Sequence, residues 1–390
     1  MSFHALLAVT MINMLGIRAS RVLAPLFAIE LGANPFLIGV LAAMDSVFPL
    51  LLALYAGKLS DRLGGRAPMI FGSLGMSGGL MVPYFMPSLM GLYLAAALIG
   101  LSHVFYNVSM QNLVGTLGTA KERTKNFSNY SLALSFGSLF GPLLAGFAID
   151  VVGHAQGYLI ASLTPLAAVA ILALQPKDAP RAQAAHEAGP RGGGALELWR
   201  MPGLRRVFIV GGVLLAGIDL FQFYMPIYGH SLGLSASVIG MVMSMFSVAS
   251  FTVRTMLPVL ARRMGEQALL AYAMLLGAAA YVSVPFIANA WVLGAAAFAV
   301  GFGLGCGMPL SMTLVYSGCP PGRSGEALGL RVAVNNVMHI IVPVLFGAVG
   351  SAFGVGPVFW LSAALLGGTG WFSKTRHQKE KQHDSQSQRR

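Results

Sequence analysis

Apolar residues in this chain come in long unbroken runs, neither alternating with polar ones nor confined to a single helical face. The runs fall at about 4–28, 35–56, 68–87, 90–116, 127–149, 156–175, 206–229, 236–259, 267–287, 289–317, 326–350 and 355–373. Each is long enough to cross a bilayer as a helix, which takes about 20 residues at about 1.5 Å each. Lipid offers an open backbone no partner, and runs this long without a period of two are helices, not barrel strands. The pattern predicts an all-α membrane protein with twelve transmembrane helices.

The runs also repeat at a fixed offset of 201 residues: Pro25 falls on Pro226, Leu31-Gly32 on Leu232-Gly233, Ile38-Gly39 on Ile239-Gly240, and Gly100 on Gly301. Further on, Pro142, Gly146 and Gly153 fall on Pro343, Gly347 and Gly354. One ungapped register over about 130 residues marks a duplication. It predicts two six-helix pseudo-symmetric halves related by an axis along the membrane normal, with the solute path between them near the midplane. The expected divisions are an N-terminal half 1–175, a cytoplasmic linker 176–205 rich in Ala, Gly, Pro and charge, a C-terminal half 206–373, and a polar, disordered cytoplasmic tail 374–390.

Composition removes the soluble alternatives. Of 390 residues 56% are hydrophobic and 10% charged, with a mean hydropathy of +0.72. The net charge of +12 would suggest nucleic acid in a soluble chain, but its placement gives topology instead. Of the 25 Lys and Arg, only Arg18, Arg21, Arg254 and Arg331 fall inside apolar runs; the rest lie in the linker, the tail and the loops on one side. The positive-inside rule makes that side cytoplasmic, with both termini there. The first run continues through Arg18 and Arg21 with no basic leader or cleavage site before it, and reads as a retained span.

Between the second and third runs stands Gly57-Lys58-Leu59-Ser60-Asp61-Arg62-Leu63-Gly64-Gly65-Arg66. Here Asp61 can receive backbone N–H groups or arginines, Gly57 and Gly64 suit a tight turn, and Arg62 and Arg66 sit at headgroup level. The order resembles the signature loop of the major facilitator superfamily of transporters, with Gly65 where that family usually carries a basic residue. The fifth run holds Gly137, Gly141, Pro142 and Gly146, small residues that permit close helix contact and a proline that bends the helix. This is similar to the superfamily's antiporter signature, with Ala145 for a usual glycine. The resemblance implies alternating access, an Asp61 latch onto the far half when the cytoplasmic side is closed, and, through the fifth run, proton-driven export. Ala96 stands where many such exporters carry a basic residue, which weighs against the last implication.

Ionisable side chains inside spans are costly and either line aqueous cavities or pair with one another. Arg18 in the first run and Asp219 in the seventh are equivalent under the offset of 201, so a two-fold axis would set them on opposite walls of one cavity. Such a pair is either worked by solute and proton or static. Arg21 adds a second cation to the same face, favouring an anionic or zwitterionic solute, or an acidic partner such as Asp45. Asp45 and Asp219 are candidate proton carriers, although Asp45 equally suits a role as the counter-ion of Arg21. Gln222 and Tyr224 extend the lining along the seventh run. His103, Asn107 and Gln111 in the fourth run, and Arg331, Asn335 and His339 in the eleventh, recur every four residues as polar stripes that either line a pore or join helices. Arg254 suits snorkelling to the headgroups; by resemblance to organic-anion carriers it would bind a carboxylate.

Cys306 and Cys319 make neither a disulfide framework nor a metal site. Gly301, Gly303, Gly305 and Gly307 read as a close-packing ribbon, since no strand precedes them and no phosphate-binding lysine follows. No nucleophile–base set has helical spacing, so neither an enzyme nor a cofactor is expected. The reading is a monomeric secondary transporter of the inner or plasma membrane, with the bilayer, a small-molecule substrate and protons as its partners and no nucleic acid. Proton-coupled export of a drug-like compound or metabolite comes first. The alternative is a proton-coupled uptake permease for an organic anion, resting on Arg18, Arg21 and Arg254.

Overall fold

A backbone with no water to bond must bond itself, and the apolar runs are helical. The computed structural model describes residues 3–116, 120–175, 195–320 and 323–387. It contains α1 (Phe3–Glu30), α2 (Pro35–Leu63), α3 (Arg66–Phe85), α4 (Leu89–Thr116), α5 (Ala120–Val152), α6 (His154–Leu174), α7 (Ala195–Arg200), α8 (Pro202–Ser231), α9 (Ala236–Met264), α10 (Glu266–Ser283), α11 (Ala290–Leu304), α12 (Gly307–Gly318), α13 (Ser324–Phe353) and α14 (Val355–Ser387). Among the described residues there is no strand.

Among the described residues, eleven segments have the length and hydropathy of a span, with α11 and α12 counted together as Ala290–Val315. The twelfth is α3, whose 20 residues reach about 30 Å. Its hydropathy is diluted by serines and glycines, of which Gly72, Ser73, Ser77 and Gly79 are buried against protein. Asn13 Nδ2 donates to Ser73 Oγ at 3.0 Å, and Ser77 Oγ to the Ser162 carbonyl at 2.9 Å.

Three local features depart from the sequence reading. Residues 57–63 continue α2 as helix, so the turn before α3 is only Gly64-Gly65, with φ +73 at Gly64. Gly57 therefore serves no turn. The tenth run is split at Gly305-Cys306, where the glycine ribbon makes an unbroken helix expensive. The polar stretch from Lys374 prolongs α14 through Ser387 where a disordered tail is expected; no Gly or Pro follows Gly370, and Lys, Arg, Gln and Glu are good helix formers.

Of the expected linker, residues 176–194 lie outside the described residues, as do Arg389 and Arg390 of the tail. Its last part is packed. In α7, Leu198 is buried with Leu204, Phe208, Val315 and Ala327, Trp199 stacks on Phe208, and Arg323 Nη1 donates to Glu197 Oε2 at 2.9 Å. The apolar Leu198 and Trp199 explain why this piece docks.

By contact the chain forms two compact units: Met1–His186 with Gln222–Ser244 and Pro343–Ala352, and Glu187–Phe221 with Met245–Val342 and Phe353–Arg390. In the first unit α1 packs on α5 and α6, α3 on α4 and α6, and α2 on α4; in the second α10 packs on α14 and α11. The sequence duplication is visible in the local geometry of both. The six glycines with positive φ among the described residues are three pairs at the offset of 201: Gly32 and Gly233, Gly64 and Gly265, Gly153 and Gly354. The helix ends match too. Ala33 N–H closes on the Ala28 carbonyl at 2.8 Å, and Leu234 N–H on that of Gly229 at 3.1 Å, the bond that ends a helix at a left-handed glycine.

The first unit contains two equivalent crossings at the ends away from the basic loops. A Cβ on Gly39 would lie 2.3 Å from the Pro343 carbonyl oxygen, and one on Gly240 would lie 2.4 Å from that of Pro142. Thus α2 meets α13, and α9 meets α5, backbone against backbone. Equivalent glycines also seat α4 and α11. A Cβ on Gly100 would approach the Asp45 carbonyl oxygen to 2.5 Å, and one on Gly301 that of Phe246 to 2.2 Å.

A steric prediction follows from these distances. Gly100→Ala should lower stability by about 1–3 kcal/mol, because backbone must move, whereas Gly57→Ala, whose nearest neighbour is a Val108 methyl at 3.9 Å, should be neutral or stabilising by up to about 1 kcal/mol. Unfolding midpoints in detergent measure both; equal losses would contradict the packing described.

Candidate functional site

Arg21 and Gln222 are the same position in the two repeats, and they touch. Arg21 Nη1 donates to Gln222 Oε1 at 2.7 Å, and Arg18 Nη1 reaches the same oxygen at 3.4 Å. Residues related by a two-fold operation meet only beside its axis, so this contact marks the pseudo-axis of the duplication in the first unit. Two guanidiniums converge there on one neutral acceptor.

The fifth-segment glycines put Arg18 where it is. A Cβ on Gly137 would lie 2.3 Å from Met14 Cβ, and one on Gly141 would lie 2.5 Å from Arg18 Cβ and 3.0 Å from Ala19 N. The small residues of α5 are thus the bed on which α1 lies from Met14 to Ala19. Gly146 does the same for the start of α9, its Cβ position being 2.4 Å from the Ala236 carbonyl oxygen. Pro142 is buried between these contacts and supplies the carbonyl against Gly240.

Beside Arg21 lies a small cavity bounded by Ser20, Arg21, Asp45, Ala96, Tyr158 and Phe223, with a volume of about 20 Å³. That is room for one water. Arg21 and Asp45 share its wall. Arg21 Nε, His103 Nε2 and the Tyr224 hydroxyl are buried and make no hydrogen bond among the described residues. The rest of the α4 stripe is bonded within the unit: Asn107 Oδ1 accepts from Gln111 Nε2 at 3.0 Å and from the Tyr130 hydroxyl at 3.1 Å, while Gln111 is exposed.

In the second unit Asp219 is buried, and its Oδ2 is hydrogen-bonded to Nδ1 of His339. The eleventh-segment stripe is therefore tied to the seventh at this end. Two residues before Asp219, the Gly217 carbonyl accepts from the Tyr281 hydroxyl. At the other end of the stripe Arg331 is buried; its Nε and Nη2 donate to Ser311 Oγ at 3.2 and 3.0 Å, joining α13 to α12, and Asn335 is buried between. Arg254 Nε donates to the Gly305 carbonyl at 3.0 Å, with Ser250 Oγ on the Gly301 carbonyl at 3.2 Å. The Gly305 carbonyl meets no helical N–H, because the residue four beyond it is Pro309, and α9 caps it, so Arg254 has a protein partner in place of the headgroups expected for it.

At the basic ends, Arg66 Nη2 donates to the Ala173 carbonyl at 2.9 Å, satisfying the last turn of α6. Arg62 is exposed in the last turn of α2. The Asp61 side chain, and with it the latch expected there, lies outside what is described.

Sequence reasoning passed over the opposite face. Asp150, near the end of α5, accepts from Ala236 N at 3.0 Å and Ser237 N at 2.9 Å, capping the first turn of α9 with a carboxylate. Nearby Glu30 bonds Nδ1 of His154, whose ring stacks on Phe27 at 5.5 Å. The signal was legible: an acid closing one apolar run, and Ser235-Ala236-Ser237 opening another, is an anion waiting for a helix N-terminus. Tyr130, the donor to Asn107, carries no comparable signal.

Residues 6–343 match the family model of the Major Facilitator Superfamily. The chain is 22% identical over 356 residues to the multidrug resistance protein MdtG of Proteus mirabilis, covering 88% of this chain and 87% of that protein. It is 24% identical over 347 residues to the tetracycline resistance protein, class H, of Pasteurella multocida, covering 84% and 83%. Among solved structures, the nucleoside transporter NupG superposes with a TM-score of 0.79 at 12% identity, over 96% of this chain and 99% of that one, a likeness of fold.

The Asp219–His339 contact is measurable as a coupling. A double-mutant cycle with Asp219→Ala and His339→Ala should give an interaction energy of about 0.5–3 kcal/mol in detergent unfolding; strictly additive losses would contradict the contact.

Proposed function

The chain belongs to the major facilitator superfamily, an integral membrane transporter rather than an enzyme, and from that premise we propose that it exports an amphipathic drug-like compound or metabolite in exchange for protons. The observation that carries this reading is the meeting of repeat-equivalent residues Arg21 and Gln222. Arg18 and Asp219 stand one turn before them in the same register, and are charged groups on which solute and proton act in the cycle. A cation held in a span keeps a counter-ion near. Solute and proton compete for that seam: an ionised carboxylate holds its guanidinium, a protonated one releases it, and inward proton flow drives outward solute flow.

Asp45, beside Arg21 and the water-sized cavity, is the second proton carrier. His103 and His339 adjoin these two carboxylate regions and relay protons to them. The buried hydroxyl of Tyr224 and the buried Nε2 of His103 are the groups a polar part of the solute meets. Relatives named for multidrug and tetracycline resistance support export over uptake. The single-sided basic loops support a cytoplasmic position for both termini in the inner or plasma membrane. The glycine-backed crossings of α2 with α13 and α5 with α9 support a state sealed on the opposite side, and Asp61 at the end of α2 is the matching latch on the cytoplasmic face. The working unit is one chain.

The second reading is proton-coupled uptake of an organic anion. The two guanidiniums sharing one amide oxygen favour it, since a carboxylate would satisfy both better than Gln222 does.

Everted membrane vesicles energised to an acid interior separate the two. Export predicts accumulation of a lipophilic probe such as tetracycline, collapse of that accumulation with the pH gradient, and loss to the level of protein-free vesicles in Asp219→Asn and Asp45→Asn. Gradient-driven accumulation of an organic anion by right-side-out vesicles, with no probe transport in everted ones, would overturn export in favour of uptake.

A further inference from the structure

In the second unit, the N-terminal end of α8 and the end of the α14 span enclose a groove. It is lined by Pro202, Arg205, Arg206, Ile209 and Val210 from one side of α8, and by Gly368, Thr369 and Phe372 from one side of α14, with a volume of about 410 Å³. That is the size of a small-ligand site. Both walls belong to the level where a span leaves the hydrocarbon, since the α14 span ends at Ser373 and the α8 span begins at Pro202.

The groove is built, not merely left over. Arg206 Nη2 donates to the Ser373 carbonyl at 3.0 Å and its guanidinium lies 5.8 Å above the Phe372 ring, which fixes one cation at the mouth. Arg205, next to it, is exposed. Below the two arginines the walls turn apolar, with Ile209 45% and Phe372 59% exposed. Gly368 opens the floor, where a Cβ would meet nothing within 4 Å. The groove also faces the N-terminal end of a 30-residue helix, whose dipole favours negative charge.

Cations at the interface above an exposed apolar trough match one kind of molecule: a phosphate on top, hydrocarbon beneath. We propose that this groove binds an anionic phospholipid, its headgroup phosphate on Arg205 and Arg206 and an acyl chain along Ile209, Gly368 and Phe372. A zwitterionic lipid fits the trough but adds a cation beside the arginines. Free phosphate meets the arginines but leaves the trough uncovered. The lipid thereby staples α14 to α8, the first helix of the second repeat, and it does so independently of what the transporter carries.

Native mass spectrometry of the full chain released from detergent, with phosphatidylglycerol or phosphatidylcholine added, tests this. The wild type should retain phosphatidylglycerol over phosphatidylcholine, and Arg205→Gln should cut that retention about fivefold, the effect of one basic residue at an anionic lipid surface. Gly368→Leu should remove it too, by filling the floor, with no fall in unfolding midpoint because the site is open and the helix gains a better helix former. Inorganic phosphate should not displace the lipid. Equal retention of both lipids, retention unchanged in both variants, or displacement by phosphate alone would each overturn the proposal.

Discussion

A guanidinium inside an apolar helix must be met by an acceptor, and the way that demand is met sorts the arginines of this molecule into two kinds. Arg254 and Arg331 find theirs in the second unit, on the Gly305 carbonyl and on Ser311. Both cap or join neighbouring helices, which is the work of structure. Arg18 and Arg21 instead reach Gln222, a residue contributed by the other repeat. An interaction between repeats has to be remade whenever the repeats move, and a neutral amide shared by two cations is the easiest acceptor to exchange. In the function proposed above, this centre is where a charged or polar solute, or a proton on a nearby carboxylate, shifts an equilibrium.

The duplication supplies the moving parts around that centre. The same glycines end the same helices in each repeat, and the same glycine–proline contact brings α2 to α13 and α5 to α9. Contacts made of backbone, with no side chains to interdigitate, are dense when closed and leave little to disentangle when they part. The two crossings are not equal, however. Asp150 adds two charge-assisted bonds to the start of α9, whereas its counterpart at the offset of 201 is Ser351. Of the two equivalent crossings, the one carrying the carboxylate is held the more firmly.

Much of this was readable before any coordinates. Uninterrupted hydrophobic runs leave a chain in lipid one structural choice, so the helices and their order came out of the pattern alone. The offset of 201 came from Pro and Gly, residues whose backbone roles tolerate no substitute, and those same residues make the turns and crossings. What stayed hidden was pairing. Nothing in the spacing of helical stripes says that Asp219 meets His339, that Arg254 turns to a broken helix, or that Asn107 is held by Tyr130. Such partners lie on other helices, and their choice depends on rotation about each helix axis, which a uniformly apolar surface does not encode. The helical stretch after Gly57 and the docked α7 were misjudged for the opposite reason, because charge and glycine were weighed above local helix propensity and a short apolar Leu-x-Leu-Trp.

The claim at the centre of the account is that the seam at Arg21 opens to each side of the membrane in turn. The most direct measurement places a single cysteine at Ser20, which lines the cavity with Arg21 and Asp45, in a chain whose native Cys306 and Cys319 are replaced. Labelling by a membrane-impermeant thiol reagent should occur from the basic side at rest and from the opposite side once a proton gradient is imposed. Protection from both sides under all conditions, with reaction only toward a lipid-soluble reagent, would contradict it.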